Sequence, residues 1–389
     1  MRVSSVQDLN IGDVLGRSLY LPNNQLLLGA GFRINDPIKN KLIDKGYSHV
    51  YILEEGTEEI LPEDVISEEI RIEAKNRLVN KVDQIKDALN FSEMSKAKVL
   101  ESLEKGNLKY IQINEDMKAL IKEILNEISI TGAKFMNTIM IKSKDSFFFD
   151  HALNTSVLAI LIGKKYKLVM HELVNLAMGA FLHDIGKVII EEIDKKSGGS
   201  SRENYYKEHP TFGYLLLSND VNISPLVLQT VNQHHEQQDG KGFPIGLHGD
   251  NSPPIKNSTP ERGMIFRFAE ICSVANAYDQ LLMNPLKGNK MGPPDVISEL
   301  LKKAGTVYNK HIVETLSQIV PIFPVGSFVR INNIIDPALI GSYGVVAKVN
   351  EKDFSRPTII LTANKYKKKI KPIIIDTSKL NQIELSLML

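Results

Sequence analysis

Apolar residues recur at helical spacing through the middle of the chain and at strand spacing towards both ends. In ELVNLAMGAFLHDIGK (172–187), Leu173, Leu176, Ala177, Ala180 and Phe181 fall at i, i+3, i+4, i+7 and i+8, one stripe of an amphipathic helix. His183 and Asp184 follow that stripe, and Gly186 reads as a C-terminal stop. In PLVLQTVNQHH (225–235), Val227, Leu228 and Val231 define a buried face that His234 and His235 continue. His151 opens a further helix with the stripe Leu153, Val157, Ile160 and Leu161, and His209 precedes Pro210 and an apolar run over 212–217. A last stripe, Phe268, Cys272, Ala275, Asp279 and Leu282, sets Asn276 and Asp279 near one buried edge.

Outside this region the period changes. Residues 1–53 hold short β-like runs, a capped helix, a stop at Gly46 and a strand, which predicts a small α+β module. Residues 54–133 are rich in Glu and Lys with apolar residues at mixed helical spacing. They read as a helical spacer, either a signalling or dimerising helix pair or packing helices. Residues 134–320 form the histidine-bearing helical domain, and 321–389 turn to β-branched runs punctuated by Gly and Pro, a small β-rich extension. The expected class is mainly α with a small module at either end.

Composition narrows the partners. Lys and Arg total 47 against 46 Asp and Glu, so bulk charge gives no reason to expect nucleic acid or an anionic membrane as partner. An anionic ligand must instead be held by local positive groups, such as bound metal. The single cysteine, Cys272, excludes an internal disulfide and fits a reducing compartment. No signal-like segment opens the sequence, and runs such as VLAILI (157–162) fall short of the roughly 18–20 residues that span a bilayer, so a cytoplasmic location is expected. The run KYKKKIK (365–371) reads as a solvated strand or loop.

Two imidazoles at the end of an apolar stripe lose solvation unless something binds them. Any one of these histidines alone fits a surface or satisfied core position. Five of them with an aspartate, all near helix ends, point to Fe, Mn or Zn, with the carboxylate able to bridge two ions. Spacing alone therefore suggests a di-metal hydrolase site.

The order His151, His183-Asp184 and a later acidic or amide residue resembles the HD phosphohydrolase superfamily. His209, His234-His235-Glu236 and Asp239-Gly240-Lys241-Gly242-Phe243-Pro244 resemble its HD-GYP subfamily, mostly bacterial phosphodiesterases of cyclic di-GMP. The resemblance implies an all-helical HD-type catalytic domain and two divalent ions, Fe or Mn. His151, His183 and Asp184 would hold one, and Asp184, His209, His234 and His235 the other. It further implies that a metal-bridging hydroxide hydrolyses cyclic di-GMP to pGpG or GMP. Lys187 would approach the phosphate, with Asp239, Gly240 and Gly242 beside the substrate. Docking of signalling proteins through the GFP loop or N-terminal module, and a homodimer, are further expectations.

Three positions depart from the family pattern. The last ligand, usually Asp, falls on Asn276, with Asp279 as the alternative one turn on. Phe147 occupies the place of a Glu that serves a third metal in some members, so two ions are expected. The basic dinucleotide contacts are replaced by Asn284-Pro285-Leu286-Lys287, leaving Lys287 as the substitute charge, and a Pro- and Ser-rich insertion covers 251–263. These departures leave two alternatives open: a non-catalytic cyclic di-GMP sensor, or a hydrolase of another phosphoester.

Overall fold

A computed structural model describes residues 1–388 except 22–24, 63, 90–94, 109–110, 134–135, 137–141, 144–145, 197–205, 256–262, 283 and 285–290. At the N-terminus, strands β1 (Arg2–Ser5), β5 (His49–Leu53) and β2 (Val14–Leu15) form an antiparallel sheet in that order. Beside it lies the pair β3 (Leu19–Tyr20) and β4 (Leu26–Leu28). Helix α1 (Asp36–Asp44) packs Leu42 into this module, and the Asn35 side chain caps it by accepting from the amide of Ile38. These elements match the expected α+β module.

Helices α2 (Glu68–Leu89), α3 (Lys96–Glu104) and α4 (Asn114–Ile130) follow. In α4 the residues Met117, Leu120, Ile121, Ile124, Leu125 and Ile128 are all buried, and they belong to one apolar core that runs from Val65 to Val320. The spacer expected over 54–133 thus packs into the central domain. Its charged residues cover the outer face, where Arg77 pairs with Glu73 at 2.6 Å and Glu123 at 3.3 Å.

The central helices are α5 (Phe147–Lys165), α6 (Met170–Leu182), α7 (Gly186–Lys196), α8 (His209–Leu217), α9 (Pro225–Gln233), α10 (Arg267–Leu281), α11 (Pro293–Lys303) and α12 (Lys310–Ser317). Helix α5 packs against α2, α6, α10 and α12, and α6 also meets α4, α9 and α10. The stretch Met170–Lys195 has the length and hydropathy of a membrane-crossing helix by composition, longer than the runs singled out from the sequence. Its apolar window is 89% buried within the domain, where it supplies the core that carries His183 and Asp184.

Gly186 does not stop α6; it opens α7. A Cβ there would lie 2.0 Å from the carbonyl oxygen of His209 and 2.6 Å from the amide of Gly213. Only glycine lets α7 and α8 approach this closely, and that approach brings Asp184 to His209.

The C-terminal strands are β6 (Phe328–Ile334), β7 (Tyr343–Lys348), β8 (Thr358–Ala363), β9 (Lys369–Asp376) and β10 (Ile383–Met388). They form an antiparallel sheet in the order β10-β6-β7-β8-β9. The lysine run enters β9 with most of its side chains in solvent, as expected for a solvated strand. The molecule is mainly α, with small β structures at both ends.

Candidate metal centre

Helix ends converge on one buried point. His183 and Asp184 directly follow α6, His209 is the first residue of α8, and His234 and His235 directly follow α9. His151 reaches the same point from the first turns of α5. The ligand-type atoms of His151, His183 and Asp184 lie within 4.8 Å of one another, as do those of Asp184, His209, His234 and His235.

Asp184 divides the cluster. Its Oδ2 faces His183 Nε2 at 3.4 Å and His151 Nε2 at 3.7 Å. Its Oδ1 faces His209 Nε2 at 3.2 Å and His234 Nε2 at 3.7 Å. Each carboxylate oxygen therefore serves a different imidazole pair.

The backbone sets the tautomers. Nδ1 donates to the carbonyl of Ala180 from His183 (2.7 Å), of Tyr206 from His209 (2.6 Å) and of Val231 from His234 (2.7 Å). A carbonyl oxygen can only accept, so these rings carry their proton on Nδ1 and keep a lone pair on Nε2, facing inward. In His151, Nδ1 lies 2.7 Å from Asp279 Oδ2, which does the same work.

Electrostatics agree. Burial holds the pKa values of His151 and His209 below the ordinary histidine value despite the facing carboxylates, and takes His234 to about 3. His235 is held well below the ordinary value, by burial first and then by its imidazole neighbours. Burial opposes the charge on Asp184, but the facing His183 and Lys187 outweigh it and hold the carboxyl well below the usual range. The result is one carboxylate beside four imidazoles, His151, His209, His234 and His235, that burial holds towards the neutral form.

Whether these residues suit a metal is decided by their unpartnered atoms. Nε2 of His151, His183 and His235, and Oδ1 of Asp184 and Asn276, are buried with no hydrogen-bond partner among the described residues. Leaving a buried polar atom unpaired costs about 1–3 kcal/mol. Five such atoms are five lone-pair donors with no hydrogen to accept, and a divalent cation satisfies that arrangement. Nitrogen and carboxylate donors of this kind fit Fe, Mn or Zn.

The choice between Asn276 and Asp279 now has a geometric answer. The Asp279 carboxylate accepts from His151 Nδ1, from Asn154 Nδ2 at 3.0 Å and from Lys142 Nζ at 2.9 Å. Its carboxylate is thereby committed to the outer side of His151, away from the cluster's unpartnered atoms. Asn276, one turn earlier on α10, keeps its amide oxygen free and buried. Phe147 stacks on His151 with ring centroids 5.4 Å apart and planes 9° from parallel, so the third-metal position presents a hydrocarbon face.

Lys187 pairs with Asp184 Oδ2 and lies 5.3 Å above the Tyr206 ring. The loop after His235 is built around Glu236, whose carboxylate accepts from the amides of Ile245 (2.7 Å), Gly246 (3.0 Å) and Leu247 (2.8 Å). Gly242 packs on it so closely that a Cβ would sit 2.4 Å from the Glu236 Cα. Asp239 accepts from the Lys241 amide at 3.1 Å and pairs with its ammonium at 3.1 Å, so it is engaged in its own turn, where Gly240 takes φ +76°. These three residues therefore shape the loop, and Phe243 stacks on His235 at 4.6 Å. Lys287 and most of the 251–263 insertion lie outside the described residues.

Four residues at the site carry no motif: Lys142, Asn154, Tyr206 and Lys207. Tyr206 comes three residues before His209, about one helical turn, and Lys207 two, a proximity that could have flagged them. Lys142 lies 137 positions from Asp279 in sequence, and nothing local announces that contact.

The fold and site define a helical protein with a buried histidine–aspartate cluster built for divalent cations. Residues 148–281 match the family model of the HD domain. A cyclic di-GMP phosphodiesterase of Borreliella burgdorferi is 24% identical over 56% of this chain and 52% of its own length. Another from Pseudomonas aeruginosa is 22% identical over 67% of this chain and 60% of its own. The chain thus spans between half and two thirds of these relatives. Among solved structures, an HDG"Y"P protein from Bdellovibrio bacteriovorus aligns over 82% of this chain and 98% of its own, with 18% identity and a TM-score of 0.41.

Proposed function

We propose that this chain is a metal-dependent phosphodiesterase that opens cyclic di-GMP to pGpG and carries some of it on to GMP. The observation that carries the reading is the division of Asp184, one oxygen towards each imidazole pair, inside a cluster of unpartnered buried donors. The names of relatives that share this domain support the substrate.

His151, His183, Asp184 and Asn276 would hold one divalent ion, and Asp184, His209, His234 and His235 the other. When bound, such ions, Fe or Mn, supply Lewis acidity and an activated water. The chain's own part follows from its geometry. The backbone carbonyls and Asp279 hold the Nδ1–H of His151, His183, His209 and His234 outward, so these imidazoles enter the reaction already in the ligating tautomer. The buried walls exclude bulk water and strengthen each electrostatic interaction inside. Lys187 brings a full positive charge to the rim of the cluster, where it offsets charge developing on a phosphate oxygen. Lys207, 5.9 Å from the Phe243 ring centroid, adds a further cation near the cluster.

The neutral amide of Asn276 favours a second reading, a weakly active protein that senses cyclic di-GMP. Chromatography separates the two. Protein reconstituted with Mn or Fe under low oxygen and incubated with cyclic di-GMP should convert it to pGpG, then GMP. Tight binding without products would support the sensor, and neither binding nor products would point to another phosphoester.

A further inference from the structure

Tyr206 presents 40% of its surface to solvent, yet it is held on several sides. Its hydroxyl faces Gln280 on α10, and its carbonyl receives the Nδ1–H of His209. Its ring lies 5.1 Å from that of His209, 5.9 Å from His235 and 6.3 Å from Phe243, with the Lys187 ammonium 5.3 Å from its centroid. A tyrosine recruited only to fill the core would be buried. One recruited only for its hydroxyl would not need a ring fixed among three others at the rim of the metal-ligating cluster.

We infer that Tyr206 is a specificity-determining residue whose ring, steeply inclined to Phe243, forms a shelf on which a nucleobase of the substrate stacks. The inference rests on the phosphodiesterase reading for its substrate class and adds the group that recognises the base. A phosphate held at the cluster and met by Lys187 carries its nucleoside outward past Tyr206. The Tyr206 and Phe243 rings meet at 65°, which leaves a corner that a flat heterocycle can enter. Lys207, 5.9 Å from the Phe243 centroid, adds positive charge to that corner. Stacking tolerates any base, so the shelf favours nucleotides over simple phosphoesters without choosing among bases.

The test compares guanosine monophosphate with ribose 5-phosphate, titrated into the zinc-saturated full chain by calorimetry. Wild type should bind the nucleotide about ten-fold more tightly than the sugar phosphate. Tyr206→Leu should lose most of that advantage with the ribose 5-phosphate affinity unchanged, and Tyr206→Phe should keep it. Saturation-transfer NMR on the wild type gives a reading that needs no variant: the guanine H8 proton should saturate more strongly than the ribose protons. Equal affinity for the two ligands in wild type, or an advantage that survives Tyr206→Leu, overturns the shelf. Because this readout is binding, failure to hydrolyse cyclic di-GMP would overturn the phosphodiesterase reading and leave this test standing.

Discussion

Asp279 and Asn276 sit one turn apart on α10 and do different work. Asp279 orients His151 from behind, with its charge balanced by Lys142. Removing such an outer partner typically weakens metal affinity 10–100-fold. Asp279→Asn should therefore lower Mn affinity by about that factor, read by competition with a chelating dye, with the helical circular dichroism unchanged. Asn276 offers a neutral oxygen into the cluster. Asn276→Asp should tighten Mn binding in the same assay, whereas unchanged affinity would remove it from the ligand set.

Helix packing places these residues, and Gly186 allows it. Gly186→Ala would push a methyl group into the His209 carbonyl and the Gly213 amide. The variant should be destabilised by about 1–3 kcal/mol in denaturant unfolding and should bind metal more weakly, because His209 moves with α8. Normal stability and affinity would show that α7 and α8 can separate at little cost. Much at this scale was legible in the sequence. The stripes over 173–181 and 227–231 gave α6 and α9, and their continuation into His183, His234 and His235 located the cluster. The wrong role for Gly186 arose because a glycine after an apolar stripe looks the same whether it ends one helix or opens the next. The Lys142–Asp279–His151 chain was not legible, since it joins segments far apart in sequence through side-chain geometry alone.

At the scale of the molecule, the helices of 68–130 share one core with the histidine-bearing helices, which makes the buried cluster part of the central fold. The sequence left two readings open there because charge-rich helices look alike whether they project into solvent or lie on a domain with one face buried. The cluster also ties stability to pH. His151, His209, His234 and His235 have pKa values lowered in the fold, so between the ordinary histidine value near 6.5 and their lower folded values the unfolded chain binds more protons. Stability of the metal-free protein is therefore retained above about pH 6.5 and falls as the pH drops. Asp184, also lowered, loses its contribution further down, as pH falls through its folded value. Glu270, raised to about 7 by burial, acts oppositely as a single group, losing its contribution as pH rises through that value. Thermal unfolding at pH 5 and pH 7.5 with chelator should show the lower midpoint at pH 5. Added Mn should raise the midpoint at pH 7.5 most, where the imidazoles are neutral in both states. A midpoint that rose on acidification would contradict buried neutral histidines.

The sharing of Asp184 between two imidazole pairs is tested most directly by the metal-to-protein ratio. Wild type and Asp184→Ala would be reconstituted with Mn under low oxygen, desalted and measured by plasma mass spectrometry. About two ions per chain are expected in wild type and fewer than one in Asp184→Ala, since one carboxylate serves both positions. An Asp184→Ala protein that kept two ions, or a wild type that bound none, would contradict it.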